Sequence, residues 1–314
     1  MKNIFLPHFD DFLLDLKTRN LSEETVYNYE RDLKVFEDFL NQIGIEFDKI
    51  DKKVLLNYKA YLVSRDRKTP KGKITEKKLA TVSINRMLSA LRSYLKFLVK
   101  IDYPLRISPT NVELLKIEKK VPKVGELEEI KKLIEAPMLF EKNKIVAIRN
   151  RTMLEVLFST GVRISELLNI KITDIDKKGR IFIKGKGKKE RFVYLTKRAQ
   201  KWIQKYLEIR GKSESPYLFI PYRGKNASKR LKKISPNYLQ ERVKKYRELL
   251  GLNIPITVHG IRRAFATYLA EKGASPTAIQ ILLGHESLHT TTRYVQASQR
   301  YAERIFRKYH PLKE

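Results

Sequence analysis

From residue 7 to about 110 the apolar positions recur every three or four residues, the spacing of helices that bury one face. PHFDDFLLDLKTRN forms a first amphipathic stretch. A second opens at Ser22, with Glu23 and Glu24 in its first turn and Tyr27, Leu33, Phe36 and Leu40 at helical spacing. KKVLLNYKAYLVSRD is a third. TVSINRMLSALRSYLKFLVK is a fourth, with Ile84, Leu88, Leu91, Leu95 and Leu98 along one side. KIEKKVPKVGE then breaks the periodicity with charge, Pro122 and Gly125, as a linker does. Two domains are therefore expected at 1–115 and 125–314, joined by a linker at 116–124.

The second half is mixed. Helical patterns at 126–135 and 144–159 lead into TGVRISELLNI. RIFIK and ERFVYL alternate as two strands around the basic turn GKGKK. Further helices are predicted at 197–210 and 235–250, then TVHGIRRAFATYLAEKG, PTAIQILLGHES, HTTTRYVQ and a polar helix to about residue 308. The predicted fold class is mainly α with a small β-hairpin in the C-terminal domain.

Composition narrows the function. The chain has 66 Lys+Arg against 35 Asp+Glu, a formal charge of +31, so its surface suits a polyanion such as nucleic acid. RDRKTPKGKITEKK, with Arg67, Lys68 and Lys71, reads as an exposed basic loop between the third and fourth helices. With 0 cysteines, disulfides and thiolate metal sites are excluded. No signal peptide and no bilayer-length apolar run is found, which makes the cytoplasm the expected location and leaves no role for a membrane. GxSxG, GxxxxGK[ST] and HExxH are all missing, which argues against serine hydrolysis, nucleotide hydrolysis and zinc hydrolysis.

The chemistry-bearing positions are spread along the C-terminal half. In TVHGIRRAF, Thr257 is placed to cap a helix carrying His259 and Arg262 on one face, with Arg263 beside them and Ile261, Phe265, Tyr268 and Leu269 packing opposite. Arg163 follows Gly161 at a helix junction, three residues before Glu166, where its fork suits a phosphate. Lys186 sits in the hairpin turn with Lys184, Lys188, Lys189 and Arg191 around it. His285 follows Gly284, and Tyr294 lies nine residues further on. That spacing is about 900° on an unbroken helix, so the chain must bend between them if both serve one site. Each pattern alone is ordinary: a surface Arg–Glu pair, a basic hairpin tip, a packed tyrosine.

Their order is not ordinary. TGVRISELL, GKGKKER, HGIRRAFAT and LLGHESLHTTTRYV together resemble the boxes of the tyrosine recombinases, or phage integrase family, and look most like its Xer branch. The resemblance covers roughly 124–305, whereas the N-terminal part fits the family's SAM-like core-binding domain by length and helix pattern. Two departures stand out: Arg263 where many members have His, and a basic loop at 65–78 that is long for the compact Xer type.

The resemblance implies a site-specific recombinase that works without metal, ATP or cofactor. Tyr294 would attack a scissile phosphate, giving a 3′-phosphotyrosyl link, a free 5′-hydroxyl and eventually a Holliday junction. Arg163 and Arg262 would hold the non-bridging oxygens, and Lys186 would protonate the leaving oxygen. His285 would hydrogen-bond the phosphate, His259 would assist proton transfer at the tyrosine, and Glu166 would orient the first arginine. Lys184, Lys188, Lys189, Arg191, Arg263, Arg67, Lys68 and Lys71 are the expected DNA contacts. The implied partners are double-stranded DNA with a specific site, sister protomers in a tetrameric synapse, and a partner recombinase or division translocase. Xer-type chromosome-dimer resolution is the leading expectation. A mobile-element integrase or transposase, a type IB topoisomerase and a non-catalytic DNA-binding accessory protein stay open as alternatives.

Overall fold

The computed structural model describes residues 5–64, 78–117, 124–184 and 190–284. The chain divides into two compact units, Met1–Lys120 and Val121–Glu314.

The first unit is built from α1 (Phe9–Thr18), α2 (Glu23–Ile43), α3 (Lys52–Val63) and α4 (Thr81–Lys100). Ser22 caps α2 by accepting from the Thr25 amide, and Asp51 caps α3 by accepting from Val54. Gly44, at φ 66°, ends α2 in the left-handed conformation that glycine adopts without penalty. Phe12, Leu16, Leu33, Phe36, Leu40, Tyr58 and Leu62 close on a buried α4 face that includes Ile84, Leu88, Leu91, Leu95 and Leu98, as the periodicity predicted. Tyr27 departs from prediction. It is 59% exposed, and Val26, one helical step of 100° away, takes the inward position. The Arg31 guanidinium lies 5.9 Å over the Tyr27 ring instead. Beyond α4, Asn85 exchanges two 2.8 Å hydrogen bonds with the Leu115 backbone, and Arg92 Nε donates to the Val112 carbonyl. These bonds tie the chain leading out of the unit back to α4.

The second unit contains α5 (Leu127–Phe140), α6 (Lys144–Thr160), α7 (Ile164–Asn169), β1 (Arg180–Lys184), β2 (Glu190–Tyr194), α8 (Lys197–Arg210), α9 (Pro236–Leu249), α10 (Val258–Glu271) and α11 (Pro276–Leu283). Its axis is α6, which packs on α5, α8 and α10 and is buried on nearly every side from Ala147 to Leu157. A helix covered all round must satisfy its polar groups internally. Accordingly Asn150 meets Tyr246, Tyr238 and Glu141, while Arg149 bonds the Ile220 carbonyl and lies 4.9 Å from the Tyr238 ring. The two strands form an antiparallel hairpin with Ile183 opposite Arg191 and Lys184 opposite Glu190.

Candidate functional site

The site grows from the point where α6 stops. Gly161 ends that helix at φ 64°, and a Cβ there would come within 2.3 Å of Phe265 on α10. Glycine is thus required twice, for the backbone hand and for the close approach of α10. The chain turns and restarts at once as α7, with Arg163 in the N-cap position and Glu166 in its first turn. Glu166 Oε2 accepts from the Arg163 backbone amide at 2.7 Å, and Oε1 accepts from Arg163 Nη1 at 2.9 Å. The helix therefore opens at Ile164, with Arg163 as its cap.

Arg191 reaches the same carboxylate from β2. Its Nη1 donates to Glu166 Oε1 at 3.0 Å and its Nη2 to Oε2 at 2.8 Å, a two-pronged pairing. Arg262 arrives from α10 and places Nη1 3.9 Å from Glu166 Oε2. Burial alone would raise the Glu166 pKa. The Arg191 side-chain bonds, the Arg163 amide and both guanidinium charges outweigh it, so the carboxyl is held below its usual range.

The same three arginines hold the end of α11. Arg191 Nε donates to the Leu282 carbonyl at 2.9 Å, Arg262 Nη2 to Leu283 at 2.8 Å, and Arg163 Nη2 to Gly284 at 3.1 Å. Arg262 Nη1 also donates to the Gly161 carbonyl at 2.7 Å, bridging the ends of α6 and α11. Three consecutive carbonyls at the negative end of a helix thus meet three cations. His285 is the next residue in sequence.

Two expectations change. Arg262 was expected on an exposed face beside His259, but its side chain is only 2% exposed, drawn inward by the Gly161 and Leu283 carbonyls. Arg191 was expected among the DNA-contacting cations, but it is 9% exposed and its guanidinium is taken up by Glu166 and Leu282. A signal for this was present in ERFVY, where Arg191 shares strand parity with the fully buried Val193. Arg163 keeps 42% of its side chain exposed.

His259 lies on the exposed side of α10, whose cap Thr257 accepts from the Gly260 amide as expected. Partial desolvation, then the charges of Arg262, Arg263 and Arg163, lower its pKa from the ordinary 6.5. The lowered pKa favours the neutral imidazole, the form that can accept a proton. Lys184 ends β1. Arg67, Lys68, Lys71, Lys186, Lys188, Lys189, His285 and Tyr294 lie outside the described residues. Among the described residues there is no group of three or more His, Cys, Asp or Glu side chains placed to hold a metal ion, and no helix long and apolar enough to cross a membrane.

Three arginines thus converge on one buried carboxylate where the Gly161 turn meets the end of α11. Comparison with known proteins identifies the family. Residues 125–300 match the Phage integrase family, and residues 9–101 match the Phage integrase, N-terminal SAM-like domain. The chain belongs to the phage integrase family. It is 35% identical over 303 residues to Tyrosine recombinase XerC of Leptospira interrogans, spanning 93% of this chain and 89% of that protein. It is 30% identical over 302 residues to Tyrosine recombinase XerD of Staphylococcus aureus, spanning 93% and 94%. The fold is shared with the crystal structure of XerH site-specific recombinase bound to palindromic difH substrate in a post-cleavage complex. That match has a TM-score of 0.71 and 24% identity over 92% of this chain and 80% of that one. This member of the tyrosine recombinases thus joins a SAM-like helical unit to a catalytic unit that is mostly helical with one two-stranded sheet.

Proposed function

We propose that the protein is a site-specific DNA recombinase that breaks and rejoins DNA through Tyr294 and a Holliday junction, with Xer-type resolution of chromosome dimers as its role. The observation that carries this reading is the cluster of Arg163, Arg191 and Arg262 around Glu166 at the end of α11. In the proposed reaction the Tyr294 oxygen bonds to the scissile phosphorus as the bond to the 5′-oxygen breaks. The phenolic proton passes to neutral His259, and Lys186 gives a proton to the leaving oxygen. Free tyrosine titrates near pH 10, so both the base and the surrounding cations are needed. Arg163 and Arg262 take the non-bridging oxygens, and His285 donates to one of them. A preorganised donor of this kind typically contributes about 3 kcal/mol to barrier lowering.

The phosphotyrosyl link conserves the energy of the phosphodiester, so no nucleotide or metal enters the cycle. Lys184, Lys188, Lys189, Arg263, Arg67, Lys68 and Lys71 are assigned to DNA contacts. A tetramer of protomers on two duplexes in the cytoplasm completes the reading, and the XerC and XerD relatives support a partner recombinase.

The test has two stages. Genomic fragments of the source organism that become covalently attached to the protein are sequenced to give its site, and a duplex nicked within that site is then the substrate. Wild type is expected to give a denaturant-resistant adduct, and Tyr294→Phe none. Binding without any adduct in wild type would make the chain an accessory DNA-binding protein. An adduct surviving in Tyr294→Phe would move the nucleophile to another residue. Relaxation of supercoils without a second site would identify a topoisomerase.

A further inference from the structure

The sequence gives Arg191 no role beyond one more cation in a basic hairpin, and its burial removes it from the DNA-facing set. Its bonds suggest a different task. Glu166 is 6% exposed and carries a full negative charge among three guanidiniums. A buried carboxylate that lacks compensation takes whatever cation it can reach. Arg163 Nη1 already touches Oε1, and Arg262 Nη1 stands at 3.9 Å from Oε2. These are the two arginines that the proposed mechanism needs for the phosphate. Arg191 meets both carboxylate oxygens at 3.0 and 2.8 Å, which compensates the charge from the side of the hairpin.

The same guanidinium fixes geometry. Its Nε bond to Leu282 pins β2 to the end of α11, immediately before Gly284 and His285. The fit is tight, since a Cβ on Gly284, itself at φ 63°, would lie 2.9 Å from Arg191 Nη1. Arg191 is the second residue of β2, in register with Ile183, so it anchors the strand that follows Lys186 in sequence.

We propose that Arg191 is a positioning residue: it saturates Glu166 so that Arg163 and Arg262 stay available to the scissile phosphate, and it locks the hairpin against the end of α11. This rests on the recombinase reading above. Arg191 touches no reacting atom, so its loss should slow the chemistry on bound DNA and leave binding alone.

The experiment uses the full chain and the nicked duplex, with affinity read on native gels and single-turnover adduct formation on denaturing gels. Arg191→Met is expected to keep DNA affinity within about twofold while adduct formation slows by about 10- to 100-fold, the scale seen when outer partners of a site are removed. Adding Glu166→Gln to Arg191→Met removes the uncompensated charge and is expected to recover part of that loss. Simple loss of packing would not be relieved by a second substitution in the same contact. Arg191→Lys keeps the charge but not the two-pronged geometry and should fall between, and it carries the test if the Met variant does not fold. An unchanged adduct rate in either variant overturns the proposal. So does a parallel loss of affinity with a shallower salt dependence, which would make Arg191 a phosphate contact. A double variant no faster than Arg191→Met also overturns it. A wild type that forms no adduct overturns the recombinase reading first, and this inference with it.

Discussion

At the scale of single residues, the site shows how far a motif reveals chemistry without geometry. HGIRR placed a histidine and an arginine three residues apart, and both belong to the site region, yet they differ in environment. His259 faces outward, whereas Arg262 is drawn under the surface by the Gly161 and Leu283 carbonyls. No reading of helical spacing could supply those acceptors, because they come from turns 101 and 21 residues away in sequence. The environment of His259 has a measurable consequence. Its folded pKa lies below the ordinary 6.5, so between 6.5 and that lower value the unfolded chain binds more protons than the folded one. Stability must therefore fall as pH drops through this window. Urea midpoints taken from pH 7.5 to 5.5 should decline for wild type and decline less for His259→Asn. Equal slopes for the two would place the imidazole in an ordinary aqueous setting.

At the scale of elements, the hydrophobic pattern carried most of what was needed. The α4 stripe, the RIFIK and ERFVY strands, and the Ser22 and Thr257 caps all stand where local chemistry put them. A departure came where one step of helical phase decided the outcome, as with Tyr27 and Val26. At the entry into α7, Arg163 occupies the cap and Glu166, three residues on, folds back to its amide, a local bond of the first turn. The stop of α6 was legible as a glycine, though its tightness was not. Gly161→Ala would cost about 1–2 kcal/mol for the left-handed backbone and a further 1–3 kcal/mol for crowding Phe265. Chemical denaturation should show a lower midpoint with unchanged slope, together with slower adduct formation because the Gly161 carbonyl holds Arg262. A variant of wild-type stability would mean that α10 yields more easily than its packing suggests.

For the whole molecule, charge follows from composition, and the periodicity lapses where the chain passes between its two compact units. With +31 formal charge, association with DNA should be driven by release of condensed counterions. Each neutralised phosphate contributes about −0.9 to the slope of log affinity against log salt, so a footprint of several contacts predicts a steep line. Titrations across about 50–200 mM salt should show it. A nearly flat dependence would mean that the cations are spread over surfaces that never meet the duplex.

The three-arginine cluster has another meaning for the bare fold. One carboxylate cannot neutralise three guanidiniums, so about two positive charges are left facing one another across a few ångströms whenever the site is empty. Like charges so placed repel, and the carbonyls of α11 soften that repulsion without cancelling it. The proposed phosphate site is thus a place where the empty protein holds an excess of positive charge. Substitutions that made the resting chain sturdier there would do so by discharging the cluster, and the gain in sturdiness would come out of its grip on an anion.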